Sequence, residues 1–431
     1  MKITEPGRPL PPSLWAATAP QAPATPRLAE SIDTDVAIVG AGYTGLSTAL
    51  HLAEAGVRCC VLEAAEPGWG ASGRNGGQVN PTLKYDPDEI VARFGTTQGE
   101  RLNDAIHRSA DDVFGLVERF KIDCDPVRKG WIQLAHSEGA VPGLHARAEK
   151  WRRRGVRTEV LDRDAVTRRV GSDAFAGGWL DPRAGAVQPL AYARGLARAA
   201  LTLGARVHGG TLVRSLAREN GRWTLASTQG HTVRADRVVI ATNGYTGDLW
   251  PGLEQTVLAA NSFIVATRPL DDDAARTILP GGETASNIQR LLLYFRRDAQ
   301  GRLLMGGRGH FAEPAGTSDF DHLVQSVRLL FPQLGKVQYD YHWAGRVAIT
   351  RDFLPHVHEP AAGLTVALGY NGRGVAAATA MGKHLARRIA GGADFPFPVT
   401  PVRPIPMHRL QRLYIAAGVS LYSLQDRFAR R

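Results

Sequence analysis

The sequence predicts an α/β protein in which a domain built on a parallel sheet is interleaved with an α+β domain built on a mixed or antiparallel sheet. Three observations predict this fold. The length of 431 residues favours more than one hydrophobic core. Near the N-terminus, buried strands alternate with a helix, as in parallel sheets. Between 205 and 310, strand patterns follow one another and helices are rare, which indicates antiparallel pairing.

The strand–helix–strand unit near the N-terminus is the clearest element. Apolar runs predict strands at 35–39 and 57–63, and apolar spacing predicts a helix over 44–55. The first strand runs into Gly40-Ala41-Gly42-Tyr43-Thr44-Gly45. Its three glycines suit a tight turn, close approach of a pyrophosphate and helix–strand packing. Glu63 follows Gly40 by 23 residues, where an acid that accepts from ribose hydroxyls is expected. The unit predicts a Rossmann-like dinucleotide site.

The remaining elements follow from the same patterns. Further helices are predicted over 97–120, 139–155, 188–204, 320–331 and 375–390. Further strands are predicted over 130–134, 205–208, 212–217, 222–227, 232–235, 237–241, 262–267, 291–296, 302–307 and 365–368.

A second glycine-rich segment narrows the choice of dinucleotide, because the spacing of the first motif does not separate FAD from NAD. Trp69-Gly70-Ala71-Ser72-Gly73-Arg74-Asn75-Gly76-Gly77-Gln78 follows the acid closely. Such a loop can bring backbone N–H groups and the Ser72 hydroxyl to a diphosphate and a flat ring. The alternative interpretation is a flexible surface loop.

Composition excludes several classes of protein. No run approaches the roughly 20 apolar residues that span a bilayer. The net charge of +11 is scattered over the chain, which predicts a solvated arginine-rich surface and not a nucleic-acid site. Cys59, Cys60 and Cys124 form no disulfide framework or metal spacing. The Pro- and Ala-rich segment 6–26 predicts an extended arm and not a signal peptide, so a cytoplasmic location is expected.

The two glycine-rich motifs resemble those of the D-amino-acid-oxidase-like FAD oxidoreductases, the glycine oxidase and sarcosine oxidase group. More narrowly, the chain resembles the gamma-glutamylputrescine oxidoreductase branch. The resemblance extends over nearly the whole sequence. It includes the segments 13–18, 241–245, 304–308, 343–346, 350–355 and 369–375.

This resemblance implies an FAD-binding domain and a six-stranded mixed sheet that roofs the flavin. The FAD-binding domain is expected to be discontinuous, over 31–85, 156–250 and 340–400. The substrate domain is expected over 86–155 and 251–339, with an N-terminal arm at 1–30 and a helical tail at 401–431. Some relatives tether flavin through a cysteine in the C-terminal half. Because this chain has no cysteine after Cys124, non-covalent FAD is expected.

The nucleotide motifs and the resemblance together imply a set of cofactor contacts. Different residues of this set are expected to contact the flavin ring, the diphosphate and the adenine of FAD, and Val213 is expected at the adenine. The set is Gly40, Gly42, Tyr43, Thr44, Gly45, Glu63, Ala64, Gly70, Ala71, Ser72, Gly73, Arg74, Asn75, Gly76, Gly77, Gln78, Val213, Thr242, Asn243, Gly244, Gly345, Arg346, Gly372, Arg373, Gly374 and Val375.

Four residues are expected at the reaction centre by the same resemblance: Arg346, Tyr370, Trp343 and Arg373. The two arginines would stabilise negative charge on the reduced ring near its pyrimidine edge, or instead form surface ion pairs. Tyr370 and Trp343, together with Tyr294 and Phe295, would shape the pocket or simply pack in the core. No Ser/His/Asp triad is apparent, and His310, His342, His356 and His358 are more readily structural than catalytic.

The expected reaction is oxidation of a primary or secondary amine to an imine and then an aldehyde. Hydride passes to flavin N5, and O2 or another acceptor reoxidises the flavin, giving hydrogen peroxide with O2. Amino-acid-oxidising relatives place a basic group just after the glycine-rich loop, where this chain has Val375 and Ala376. That difference favours an amine over a free amino acid, although Arg308 or Arg296 could bind a carboxylate instead.

Three alternatives remain open. An amino-acid oxidase or dehydrogenase of the same fold could pass electrons to a quinone or carrier. An RNA-associated flavoprotein would use the net charge, and an NAD(P)-linked dehydrogenase would use only the first motif. The apolar stretch 410–424 is expected to pack on its own domain or on a second subunit in an oligomer, in preference to a membrane surface.

Overall fold

The computed structural model describes residues 5–289 and 292–411 and confirms the α/β fold class. The described strands form two large sheets, here called the first and the second sheet, and a two-stranded ribbon of Gln78–Val79 with Gly185–Ala186.

The first sheet has a parallel centre and antiparallel additions at one end. Across the sheet its strands run His356–Ala361, Leu364–Leu368, Thr232–Ile240, Ile32–Val39, Cys59–Leu62 and Arg206–His208. Arg222–Ser227 also pairs with Thr232–Ile240, and Val213–Glu219 pairs with Arg222–Ser227. Predicted strands at 232–235 and 237–241 are therefore one continuous strand.

The second sheet is antiparallel except where Thr284–Asn287 runs parallel to Trp131–Ala135. Its eight described strands exceed the six expected. In order they are Tyr339–Thr350, Val257–Pro269, Arg302–Arg308, Leu293–Arg297, Thr284–Asn287, Trp131–Ala135, Gly177–Asp181 and Glu159–Leu161.

Half of the described helices pack on one face of the first sheet, where Ile38 and Val61 share a core with Leu46, Leu196 and Met381, and the other half pack against the second sheet. The described α-helices are Leu14–Thr18, Tyr43–Glu54, Pro87–His107, Ser109–Arg119, Val141–Arg153, Arg163–Val170, Pro189–Thr202, Asp272–Thr277, Asp321–Leu330 and Gly374–Ile389. Short 3-10 turns are Ala71–Gly73, Glu138–Ala140, Asn243–Tyr245, Glu254–Thr256, Thr317–Phe320, Pro332–Leu334 and His408–Leu410.

Several expected domain boundaries need correction. The strands Glu159–Leu161, Gly177–Asp181 and Tyr339–Thr350 pair within the second sheet, although the expected boundaries place them in the FAD-binding domain. Conversely, the helices over 87–119 pack in the core of the first sheet, through residues such as Ile106 and Val113. The spacing of hydrophobic residues identifies a strand or a helix. It does not identify the strand or sheet that this element packs against, which here lies far away in sequence.

The N-terminal arm also differs from the expected extended segment. Ser13 caps the helix Leu14–Thr18 by accepting a hydrogen bond from the Ala16 N–H. Leu14 and Trp15 are buried against Ile264, Leu304 and other residues of the second sheet. The arm is thus part of the packed structure.

Most of the predicted C-terminal helix lies outside the described residues, since the structure describes only 401–411 of that segment. Within 5–289 and 292–411, no helix combines the length and apolar character needed to cross a membrane.

Candidate functional site

A cavity of about 990 Å³ lies between the two sheets. Its volume is at the upper end of the range of roughly 300–1,000 Å³ for small-molecule and cofactor sites. One part is lined by residues 40, 42–44 and 62–64 of the nucleotide unit. Another part is lined by Trp131, Ser262 and Tyr294 of the second sheet, so the cavity can hold an extended ligand that reaches both sheets.

The glycine-rich turn is tightly packed at the nucleotide end of the cavity. Gly40 has φ +104°, a conformation that L side chains rarely adopt. A Cβ on Gly42 would lie 3.0 Å from the Ser72 Oγ, and a Cβ on Gly45 would overlap the Gly40 carbonyl oxygen. The Tyr43 N–H at the start of the following helix donates to the Ser72 Oγ at 3.0 Å. Gly42, Tyr43 and Thr44 line the cavity, so the positive dipole end of this helix faces it.

Glu63 lies beside this turn, at the end of the second parallel strand. Its carboxylate accepts hydrogen bonds from the Ala41 N–H at 2.8 Å and the Ala65 N–H at 2.9 Å. Burial raises the pKa of the carboxyl, and the backbone N–H groups oppose that rise. The fixed carboxylate lines the cavity, where it can accept from a sugar hydroxyl.

Two indole N–H groups hold the loop over residues 70–78. The Trp343 Nε1 donates to the Arg74 carbonyl at 2.9 Å, and the Trp15 Nε1 donates to the Asn75 carbonyl at 2.8 Å. The two rings meet edge to face, with centroids 5.7 Å apart. Trp343 therefore positions the loop from behind and does not line the cavity, contrary to its expected place at the reaction centre.

Cationic and aromatic side chains alternate from Trp69 through Arg74 and Tyr245 to Arg346. The Arg74 guanidinium lies 4.2 Å from the Trp69 ring centroid, and its Nε donates to the Trp69 carbonyl at 2.9 Å. Tyr245 separates Arg74 from Arg346, whose guanidinium is 5.4 Å from the Tyr245 ring. Arg346 Nε also lies 3.8 Å from a Glu313 carboxylate oxygen. The Arg74 Nη2 is buried with no hydrogen-bond partner among the described residues, which leaves a donor for a ligand.

Arg373, which is expected near the same edge of the flavin as Arg346, contacts a different aromatic ring. Its guanidinium is 4.7 Å from the Trp131 ring centroid, and burial lowers its pKa to about 10. The Trp131 Nε1 donates to the Ser286 Oγ at 2.9 Å. The strands that carry Trp131 and Arg346 are five positions apart in the second sheet, and the loop that carries Arg373 also meets the Arg346 strand, where the Asn371 N–H donates to the Ala348 carbonyl at 3.2 Å. The two guanidinium groups thus contact different rings, Arg373 that of Trp131 and Arg346 that of Tyr245.

Most of the expected site residues line this cavity. They are Gly40, Gly42, Tyr43, Thr44, Glu63, Ala64, Gly70, Ala71, Ser72, Arg74, Asn75, Gly76, Gln78, Val213, Thr242, Asn243, Gly345, Arg346, Tyr370, Gly372, Arg373, Gly374 and Val375. Gly45, Gly73, Gly77, Gly244 and Trp343 support the wall without lining it.

The other candidate side chains divide between the cavity and the core. The Tyr370 hydroxyl is 2.6 Å from the Thr44 Oγ1, and the Tyr294 hydroxyl is 2.9 Å from the Ser262 Oγ. Both tyrosines line the cavity, whereas Phe295 is buried in the core of the second sheet. Arg296 donates to the Val187 carbonyl and does not line the cavity. None of the four histidines considered lines it either.

Sequence reasoning missed a group of cavity residues. These include Tyr245 and, from distant segments, Lys84, Trp131, Gln133, Arg147 and Trp179. Tyr245 could have been found, because it directly follows the predicted Thr242-Asn243-Gly244 turn. The others carried no signal. Gln133 and Trp179 meet only when Trp131–Ala135 pairs with Gly177–Asp181, and Arg147 joins them from a helix by donating to the Gln133 Oε1.

Comparison with known proteins identifies the family. The profile described as "FAD dependent oxidoreductase" (DAO) matches residues 35–388. The chain belongs to this family of FAD-dependent oxidoreductases. Gamma-glutamylputrescine oxidoreductase of Escherichia coli (strain K12) is 34% identical over 96% of this chain and 98% of the relative. A probable oxidoreductase OrdL of Rhizobium meliloti (strain 1021) is 32% identical over 96% and 97%.

Solved structures of the family share the fold. Glycine oxidase from Geobacillus kaustophilus superposes with a TM-score of 0.73 at 24% identity, covering 87% of this chain and 99% of that one. L-proline dehydrogenase from P. horikoshii superposes with a TM-score of 0.71 at 20% identity, covering 86% and 96%. The family oxidises amines and amino acids, and this chain is an FAD-dependent oxidoreductase of that kind.

The cavity residues fit the FAD that the family implies. Glu63 offers a fixed carboxylate to a ribose, and the helix N-terminus beside Ser72 offers its positive dipole end and its remaining N–H groups to a diphosphate. The buried Arg74 Nη2 offers a further donor beyond them. The close contact of Gly42 with Ser72 leaves no room for a side chain where a diphosphate would approach the backbone.

Proposed function

We propose that the protein oxidises a primary or secondary amine of the gamma-glutamylputrescine type to an imine, which water hydrolyses to an aldehyde. The observation that carries this proposal is the start of the helix Gly374–Ile389. Val375 lines the cavity there with an apolar side chain, and Ala376 is buried in the helical core. A carboxylate on the reacting carbon would therefore lack the charge-assisted partner that amino-acid-oxidising relatives place at this point.

The chain's own charges favour an amine that binds without its proton. Arg74 and Arg346 line the cavity, so an ammonium group entering it meets cations in a desolvated setting. Both effects lower the pKa of a bound amine and free its lone pair. FAD, when bound, would supply the two-electron acceptor for the hydride of the amine, with O2 as the final acceptor and hydrogen peroxide as its product. With the amine already neutral, no side chain has to act as a strong base.

The burial of the three cysteines supports non-covalent FAD. None of Cys59, Cys60 and Cys124 lines the cavity, and burial raises the pKa of each thiol to about 12. Protonated, enclosed thiols are poor nucleophiles. Acid precipitation of the holoprotein is expected to release all of its flavin into the supernatant; flavin retained in the washed pellet would contradict this assignment.

A second candidate is oxidation of amino acids, with electrons passed to a quinone or carrier. Arg308 favours it, because this residue lines the cavity and could bind a carboxylate. Arg296, the other arginine considered for that role, lies in the wall.

Turnover in air separates the two candidates. Gamma-glutamylputrescine is expected to yield equal amounts of aldehyde and hydrogen peroxide, whereas glycine and proline yield little. Arg308→Gln is expected to leave this activity within about three-fold. Efficient turnover of amino acids that Arg308→Gln abolishes would favour the second candidate.

A further inference from the structure

One end of the cavity carries more positive charge than its carboxylate can balance. Lys84, Arg147 and Arg373 line this end, and Asp86 is the acid beside them. The Arg147 Nε lies 2.7 Å from the Asp86 Oδ1, and the Lys150 Nζ lies 3.1 Å from the Asp86 Oδ2. Asp86 is thus shared by two cations, and it leaves Lys84 and Arg373 without a carboxylate.

No other carboxylate among the described residues forms an ion pair with Lys84 or Arg373. Within 5–289 and 292–411, neither Lys84 nor Arg373 has a carboxylate oxygen within 4.0 Å. Asp181 is close enough to act on Arg373 electrostatically, but it is bound to Arg183 at 2.5 Å. Burial and the charge of Arg147 lower the pKa of Arg373. Partial desolvation of the Lys84 ammonium group, followed by the charges of Arg147 and Arg373, lowers the pKa of Lys84, although much of its side chain is exposed. An anion bound here would balance the positive charges of both Lys84 and Arg373.

The surrounding side chains fix Arg373 in place. Its guanidinium rests on Trp131, which packs edge to face on Trp179 with centroids 6.1 Å apart. The Gln133 Oε1 accepts hydrogen bonds from the Trp179 Nε1 and from Arg147, each at 3.0 Å. A preorganised guanidinium loses little freedom when it binds a planar carboxylate.

This end of the cavity differs in position from the part that Arg346 lines. Lys84 is exposed to solvent although it lines the cavity, whereas the Arg346 side chain is 13% exposed. Trp131 and Arg346 lie on strands five positions apart in the second sheet. A substrate that places its amine near Arg346 would bring its other end to Lys84 and Arg373.

We propose that Arg373 and Lys84 bind a carboxylate at the end of the substrate remote from the oxidised carbon, and so act as specificity-determining residues. This inference rests on the proposed amine oxidation and adds the group that the enzyme recognises at the opposite end of its substrate. Arg147, already paired with Asp86, orients the cluster and is not the main ligand of the carboxylate.

Two synthetic amines provide matched probes. N-glutarylputrescine and N-butanoylputrescine share the amide and the amine, but only the first carries a terminal carboxylate. Binding of each to the FAD-loaded protein is measured by calorimetry, which requires no turnover. The glutaryl compound is expected to bind about ten- to a hundred-fold more tightly, the range for a charge-assisted hydrogen bond.

Substitutions assign that preference to the two residues. Lys84→Gln and Arg373→Gln are each expected to lose most of the preference for the glutaryl compound while binding of the butanoyl compound changes little. Arg373→Lys is expected to regain part of it, which separates charge from folding. The control is Arg153→Gln, which removes one positive charge from a 76% exposed side chain outside the cavity and should leave the preference intact.

Three results would overturn the inference: equal binding of the two amines by the wild type, equal weakening of both in the two glutamine variants, or a requirement for Arg373 confined to α-amino acids. A preference that behaves as expected, with neither compound oxidised, would instead reject the proposed reaction and leave the carboxylate site standing.

Discussion

Individual residues explain why the nucleotide end of the cavity admits so little variation. Glu63 is held by two backbone N–H donors, Gly45 has no space for a Cβ, and Gly40 has a positive φ. Each requirement is local, so all three residues could be predicted from the motif alone. Arg373 shows the opposite case, because its contact with Trp131 depends on a loop and a strand that are distant in sequence.

Glu63→Gln is expected to weaken FAD binding about ten- to a hundred-fold, since the amide loses the charge and turns an N–H group toward a backbone donor. Titrating the flavin-free protein with FAD and following fluorescence gives the affinity. Glu30→Gln, at an exposed position, should match the wild type. Unchanged affinity in Glu63→Gln would remove the carboxylate from the cofactor site.

The same carboxylate predicts a pH dependence. Sugar hydroxyls donate best to the ionised form, and burial raises the pKa of Glu63 in the flavin-free protein. FAD affinity is therefore expected to fall on acidification, starting above the pH at which an ordinary glutamate (pKa about 4.3) titrates. Titrations repeated at decreasing pH should show this fall in the wild type and a flatter profile in Glu63→Gln. Parallel profiles would assign the effect to another group.

Gly45→Ala is expected to displace the helix Tyr43–Glu54, because the new Cβ would overlap the Gly40 carbonyl and lie 3.2 Å from Ile38. We expect a loss of about 1–3 kcal/mol in stability and poor FAD retention. Gly115→Ala is the matched control, since a Cβ there meets nothing within 4 Å and should stabilise its helix by about 0.5–1 kcal/mol. Thermal unfolding and the flavin-to-protein absorbance ratio measure both effects. Normal flavin content in Gly45→Ala would show that the turn tolerates a side chain.

At the scale of elements, the short helix Leu14–Thr18 links the arm to the flavin loop. Trp15 is 1% exposed, packs on Trp343 and donates to the Asn75 carbonyl. The arm thus packs behind residues 70–78 and supports them, which its Pro- and Ala-rich composition did not indicate. The local signal was the Ser13 cap, which is too short a motif to predict burial.

Trp15→Ala is expected to cost about 3–5 kcal/mol, as for other buried tryptophans, and to loosen FAD. Trp15→Phe keeps the ring contacts but loses the N–H donor, so it should recover most of the stability and less of the FAD affinity. Chemical unfolding of the loaded protein provides both comparisons. Leu329→Ala, 65% exposed, should be nearly neutral. A neutral Trp15→Ala would mean that the arm does not support the loop.

For the molecule as a whole, the sequence predicted the class of fold and the nucleotide unit, but not the membership of the second sheet. Residues 35–63 form a continuous unit whose spacing is dictated by helix and strand geometry. The strands Glu159–Leu161 and Gly177–Asp181 join a sheet whose other strands lie up to residue 350, and no local pattern specifies such a partner. The substrate side of the cavity, built from these long-range pairs, could therefore be found only in the folded structure.

The measurement that tests the amine-oxidase assignment most directly is the visible spectrum of the FAD-loaded protein, held without oxygen and mixed with amines and amino acids. Rapid bleaching of the flavin by gamma-glutamylputrescine, with little response to glycine, proline or other free amino acids, is the expected result. Bleaching by amino acids alone would contradict the amine assignment and favour the second candidate. A bound flavin that no member of the panel reduces would contradict both.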